Sequence, residues 1–418
     1  MNGKNLLKNI EFNWTPWFPR KELTPEFFID GKKLKISTNN NINVYGKFLS
    51  DYIAVSDSRM IIFEADFYCE NIKNTEKSVF GMIDFYDDKK VLLERTYFDI
   101  IENNNIKKLY GKIDLPVETA FIIIELGARY CENAVVEFDN IILESFDNMP
   151  KRLVKISTTY KEQQNTLKES LQDILDTIDK AGKSNPDVIL LSECVYESCY
   201  ENLSLEEKAQ TVPGNLTNII GEYAKKYNSY IIFTMNEKDG DFIYNTAVII
   251  GRDGKICGTY RKTHLPLLEA EWGTSPGNEH KVFDLDFGRV GVIICYDQYF
   301  PENSRTLALM GAEIIFIPTM GEDEVVQRAI ARTNGVYVVV SGYRGSAHSR
   351  IINPLGEIVN FVPDLKTGFA IEEVDLNERF FVYWMSIGPG NGELNSLFRI
   401  ERNIETYDAI NKESYKIK

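Results

Sequence analysis

The chain has 418 residues, too many for one ordinary core, and combines 44% hydrophobic with 26% charged residues, so a soluble globular protein of two domains is the starting expectation. A formal charge of −15 would repel a phosphate backbone, which argues against nucleic acid as a partner, and no apolar run is long enough to span a bilayer. Six cysteines over this length make no disulfide framework, the histidines His264, His280 and His348 are scattered, and no zinc spacing occurs.

The N-terminus, "MNGKNLLKNIEF", lacks the apolar segment of a secretory leader, which points to a cytoplasmic location. Residues 1–148 then read as short strands. "MIIFEADFYCE", "VFGMIDFYD", "FIIIELGARY" and "AVVEFDNIILES" are β-branched and aromatic, and "DGKK", "ENNN" and "CENA" separate them. That spacing predicts an antiparallel sandwich or jelly roll. The pattern changes near "DNMPKR". "RLVKIST" reads as a strand, and "TLKESLQDILDTIDKAG" sets Leu167, Leu171, Ile174, Leu175 and Ile178 on one helical face. "PDVILLSE" is a buried strand, "NLTNIIGEYAKKYN" a second amphipathic helix, and "YIIFTM" the next strand. "YNTAVIIGRDGKICGTYRK" reads as a hairpin turning at Asp253-Gly254. The strand "RVGVIIC", a helix from Pro301, the strand "AEIIFIPT", a helix near "DEVVQRAIARTNG" and the strand "YVVVSG" complete an α/β domain spanning 152–418.

Three of these strands finish in a residue able to do chemistry: Glu193, Lys262 and Cys295. Singly, each has an ordinary reading: a turn cap, a solvated lysine, a core cysteine. Functional groups of an α/β sheet gather at the carboxyl ends of its strands, so strands that are neighbours and run the same way would bring the three side chains together. The chemistry is coherent. The thiolate is the nucleophilic form of cysteine, a carboxylate in a dry pocket can take its proton, and an ammonium stabilises a developing oxyanion. The backbone N–H of Tyr296, next after the sulfur, is a candidate second donor. Pro301 at a helix start makes "CYDQYF" a short turn of the kind that exposes a nucleophile. The rival is a Cys–His pair drawing on His264 or His280.

From about Val154 onward the chain resembles the nitrilase, or carbon–nitrogen hydrolase, superfamily. The matching pieces are "DVILLSE", "YRKTHL", "SPG" at Ser275 to Gly277, and "GVIICYDQYFPENSRTLALMGAEIIFIPT". "RAIARTNGVYVVVSG", "IINPLGEIV" and "LFRIERNIETYD" follow in order. The resemblance implies a four-layer α-β-β-α sandwich, with Glu193 as general base, Lys262 as oxyanion stabiliser and Cys295 as nucleophile. It also implies a second glutamate that positions substrate, Glu269 rather than Glu271 by spacing. The implied reaction passes through a thioester and needs no metal or organic cofactor, and family members usually form homo-oligomers. "CYDQYFPE" is similar to the amidase and carbamoylase branches, which favours a small amide or N-carbamoyl amine over a nitrile. "RAIARTNG" and "PTMGEDE" depart from the usual pattern where substrate would sit. Transfer of the acyl group to an amine, and a non-catalytic binding protein on the same fold, are the competing classes. In the first half, "NLLKNIEFNWTPWFP" and "AVVEFDNIILES" resemble the ends of a carbohydrate-binding-module-like jelly roll. There Trp14, Trp17 and Phe18 either stack on a glycan or pack internally.

Overall fold

The computed structural model describes residues 13–411 apart from 56–57, 147–149, 322, 344–348, 364–367 and 384–390. The opening segment 5–12 of the first-half motif, His348 and part of the "DNMPKR" junction lie outside the described residues.

The chain forms two compact units, one holding residues up to Pro150 together with those from Arg379 on, the other Lys151–Glu378. The first unit is two sheets. One runs in the order Trp14–Trp17, Tyr45–Ser50, Phe121–Arg129, Val79–Tyr86, Leu92–Tyr97, Asn391–Glu393, Phe381–Val382, with Ile53–Ala54 also paired to Phe121–Arg129. The other runs Glu26–Asp30, Lys33–Ser37, Val135–Phe146, Met60–Glu70, Ile106–Asp114, Asp99–Asn103. Alternation builds the core between them. Tyr45–Ser50 buries every second residue, and Phe48, Phe85 and Ile124 of the first sheet share one cluster with Ile36, Phe63 and Phe138 of the second. Trp14 packs against that cluster, whereas Trp17 and Phe18 are 39% and 42% exposed. The tail, expected with the second half, packs in this unit. Asn391–Glu393 pairs in parallel with Leu92–Tyr97, and Leu397 of the helix Leu394–Ile400 joins Phe80, Met82 and Tyr97 in a small cluster.

The second unit alternates strands and helices as the periodicity predicts. Thr166 caps the helix Leu167–Gly182 through its side chain, and Ile174 and Ile178 are buried at the helical spacing, with Leu171 packed beside them. Asn215–Tyr227 lies in the same cluster, against strands Val188–Leu190, Tyr230–Asp239 and Phe242–Ile250. A second helical pair, Pro301–Leu309 and Glu324–Asn334, packs on strands Ile314–Pro318 and Tyr337–Tyr343. Pro301 occupies the first turn, Asp323 caps the other helix, and Gly335 ends it in the left-handed region at φ 65°.

Strand order shows how the two wings relate. It runs Ile256–Arg261, Phe242–Ile250, Tyr230–Asp239, Val188–Leu190, Leu153–Lys161, Tyr337–Tyr343, Ile314–Pro318, Arg289–Val292, Val282–Asp284. Laid flat, Ile256–Arg261 and Arg289–Val292 would stand seven strand spacings apart, about 34 Å. Yet the Tyr260 hydroxyl lies 2.8 Å from the Asp297 carboxylate. The sheet therefore doubles back on itself. The strand faces turned away from the helices, carrying Ile156, Ile232, Ile249, Val292 and Val339, are fully buried, as a sheet-on-sheet interface requires.

Candidate active site

The strands leading to Glu193, Lys262 and Cys295 run the same way but are not neighbours. Two strands separate Lys262's from Glu193's, and three separate Glu193's from Cys295's. Doubling back of the sheet, rather than adjacency, brings the residues together.

Lys262 is wholly buried, and its Nζ lies 3.1 Å from Glu193 Oε1 and 2.6 Å from Glu269 Oε1. Burial alone would lower the ammonium's pKa. The charges of Glu193, Cys295 and Glu269 together outweigh it and hold the pKa above its ordinary value. Glu193 is 1% exposed, and it accepts further hydrogen bonds from Asn245 Nδ2 at 2.9 Å and from the Met320 amide at 2.9 Å. Glu269 sits on the short helix Leu267–Glu271, where burial, opposed by Lys262 and reinforced by Glu193, raises its carboxyl above the usual value. Glu271 points to solvent.

Cys295 opens the 3-10 turn Cys295–Tyr299 with φ at 45°, a left-handed conformation that costs a non-glycine residue on the order of 1–3 kcal/mol. Burial pushes its thiol up to about 11. The charge of Glu193 adds to that, while Lys262 and hydrogen bonds from Thr319 and the Met320 amide pull the other way. The Met320 amide thus donates to Glu193 and lowers the thiol's pKa. Tyr296 is 36% exposed, its ring against Tyr299 and Phe300.

The ends of the strands Ile256–Arg261 and Arg289–Val292 are pinned together by Asp297, which is completely buried. Its Oδ2 accepts from the Tyr260 hydroxyl at 2.8 Å and the Ile294 amide at 3.0 Å. Its Oδ1 accepts from the His264 amide at 2.9 Å and the Thr263 hydroxyl at 3.1 Å. These donors flank Lys262 on one side and Cys295 on the other. His264 is turned into this network, with its ring Nδ1 3.1 Å from Asp297 Oδ1 and its face stacked on Phe300 at 3.9 Å. His280 is half-buried, and burial lowers its pKa. Gly277 of "SPG" lies against the Lys262 strand. Its amide donates to the Lys262 carbonyl at 2.8 Å, and a Cβ there would stand 2.2 Å from the Arg261 carbonyl oxygen.

Burial by itself would raise the Asp297 pKa, but its hydrogen bonds hold it below the usual carboxylate range. Its stabilisation is therefore present above the unfolded value of about 3.9 and lost as pH falls through the folded pKa. Asp297→Ala removes the acceptor of four hydrogen bonds, two of them from the buried Tyr260 hydroxyl and Ile294 amide, and is expected to cost about 3–5 kcal/mol in denaturant unfolding. Asp297→Asn, which keeps one acceptor, is expected to cost less.

A cavity of about 430 Å³ opens on the carboxylate side of this cluster, lined by Glu193, Cys194, Glu197, Asn236, Asn245 and Glu269 among others. Asn245, the Met320 amide and Asp297 were missed by sequence reasoning. Asn245 carried one usable signal, a lone amide side chain at the head of an apolar strand. The Met320 amide carried none, being backbone. Among the described residues no group of three or more His, Cys, Asp or Glu side chains is placed to hold a metal ion, and no helix is long and apolar enough to cross a membrane.

The carbon-nitrogen hydrolase family matches residues 154–379, more than half of the chain, and the protein belongs to that family. It is similar to a nitrilase of Pyrococcus abyssi, 35% identical over 214 residues that cover 48% of this chain and 80% of that protein. It is also similar to the omega-amidase NIT2 of Danio rerio, 32% identical over 208 residues covering 44% of this chain and 74% of that protein. The crystal structure of a carbon-nitrogen hydrolase from Helicobacter pylori G27 shares the fold. Its TM-score is 0.53 at 20% identity, over 63% of this chain and 99% of that one.

Proposed function

We propose that this protein hydrolyses a non-peptide C–N bond, in a small amide or an N-carbamoyl amine, through a thioester on Cys295. The observation that carries the reading is the buried Lys262 ammonium held between Glu193 and Glu269, with the Cys295 thiol within reach of the same charges. A thiol pushed up to about 11 is ionised in roughly one molecule in ten thousand at pH 7, so attack needs a base at the sulfur. Glu193 takes that proton as the sulfur bonds to the carbonyl carbon. The oxyanion forms beside Lys262, with the amide N–H of Tyr296 as the second donor. Glu193 returns the proton to the departing ammonia or amine. It then deprotonates a water that attacks the thioester, releasing the acid and restoring the thiol. Glu269 holds Lys262 in place and faces the substrate.

The test is a trapped adduct. Incubation with candidate amides and rapid acid quench is expected to leave the acyl mass on the peptide containing Cys295, and an added amine nucleophile reports how far the acyl group partitions away from water. Glu193→Gln is expected to lower kcat/KM by about a thousandfold or more, and His264→Ala far less. The reverse ranking in steady-state assays would favour the Cys–His arrangement.

For the first unit we propose the carbohydrate-binding-module-like jelly roll. Eight of its strands, Lys33–Ser37 through Val135–Phe146 without the short Ile53–Ala54 and the edge strand Asp99–Asn103, support this reading. Taken in chain order, they pair first-eighth-third-sixth in one sheet and second-seventh-fourth-fifth in the other, the arrangement of two Greek keys.

A further inference from the structure

The cavity beside the candidate site holds, besides Glu193 and Glu269, a third carboxyl that the proposed reaction does not use. Glu197 lies four residues after Glu193 and is 4% exposed. Its Oε1 accepts the Asn236 amide at 2.7 Å, while its Oε2 has no hydrogen-bond partner among the described residues. Asn236 faces Asn245 across the Tyr230–Asp239/Phe242–Ile250 hairpin, and Asn245 donates to Glu193, so the two carboxyls, both in the turn after Val188–Leu190, line the cavity against neighbouring asparagines on adjoining strands. Burying a hydrogen-bonding oxygen with nothing to accept is costly, and such an atom on a residue that lines a cavity marks where a ligand's donor belongs.

The other unpartnered buried polar atoms of this cavity are Asn245 Oδ1 and Glu269 Oε2. All three are acceptors. Asn245 and Glu269 stand at the reacting end, where an amide or carbamoyl NH2 supplies donors, and Glu197 stands beyond them. Burial pushes the Glu197 carboxyl up to about 7, so a cation beside it would hold it ionised. Lys208 also lines the cavity and Lys161 acts on Glu197 from behind, but Lys208 is half-exposed and solvent screens it. Leu203 and Leu205 also line the cavity and suit a short methylene chain.

We propose that Glu197 selects the substrate, and that the cavity takes an amide or N-carbamoyl compound whose far end carries a protonated amine, bound by the Glu197 carboxylate. This rests on the thioester reading above. The test compares linear amides of graded chain length ending in an amine, a methyl or a carboxylate. The wild-type protein is expected to prefer the amine-ended member of a matched pair by about ten- to a hundredfold in kcat/KM, and Glu197→Gln is expected to erase that preference, chiefly through KM. Should Glu197→Gln not fold, competitive inhibition of the wild type by an alkylamine against the equal-length alcohol reads the same discrimination. Equal turnover of amine- and methyl-ended amides, a preference that survives in Glu197→Gln, or a preference for the carboxylate-ended amide overturns the Glu197 assignment. In each case an acyl adduct on Cys295 leaves the amidase reading standing. No adduct and no turnover with any amide overturns both.

Discussion

Cys295→Ala is expected to abolish turnover while the folded protein survives. The substitution keeps the Cβ at the strained turn and removes one partly buried sulfur, a change of about 1 kcal/mol in stability. The chemistry has no substitute. Removing the covalent nucleophile from a site of this kind costs on the order of 10⁴-fold or more in kcat. Cys295→Ser is expected to be nearly as inactive, because Glu193 would have to activate a far less acidic hydroxyl. The check pairs a thermal melt with a turnover assay on one preparation. If both variants melt like the wild type and still turn over, the sulfur is not the nucleophile.

Lys262→Met is expected to damage both activity and stability. The ammonium is completely buried and touches two carboxylates, at 3.1 and 2.6 Å. Its loss leaves Glu193 and Glu269 facing each other in a dry pocket, a penalty of about 3–5 kcal/mol, and removes an oxyanion partner, a further loss of about 10²–10³ in kcat. The sign of the pH dependence follows. Burial already raises the Glu269 pKa and Lys262 opposes it, so without the lysine the folded pKa climbs further above its unfolded value of about 4.3. The folded variant then binds more protons than the unfolded chain, so its stability falls as pH rises through that window, and acidification narrows the deficit. Combining Lys262→Met with Glu269→Gln is expected to recover part of the stability and none of the activity, which separates the electrostatic cost from the catalytic one.

The residues proposed to carry the chemistry were legible because they break a pattern. Glu193, Lys262 and Cys295 each end a strand, and their residue types make sense only together. The helices were legible from periodicity, as with Leu171, Ile174 and Ile178, and from Pro301 at a helix start. What could not be read was anything fixed by long-range pairing. Whether the three strands are neighbours was left open by the residues themselves, because local periodicity encodes which face is apolar and not which strand lies beside which; the two-sheet sandwich came only from the resemblance. Asp297 sat in plain view within "CYDQYF", yet its partners Tyr260, Thr263 and His264 lie more than thirty residues upstream. Glu197 was visible as a carboxylate, but its burial was not. The strand Asn391–Glu393 is three residues long, too short to announce a partner near residue 94.

That last pairing bears on how the chain is made. Thr96 leaves the ribosome 300 residues before Ser396, its hydrogen-bond partner in the tail, and the whole of the second unit emerges between them. Leu92–Tyr97 is therefore an open sheet edge until Asn391–Glu393 emerges to close it, able meanwhile to recruit stray strands from other nascent chains.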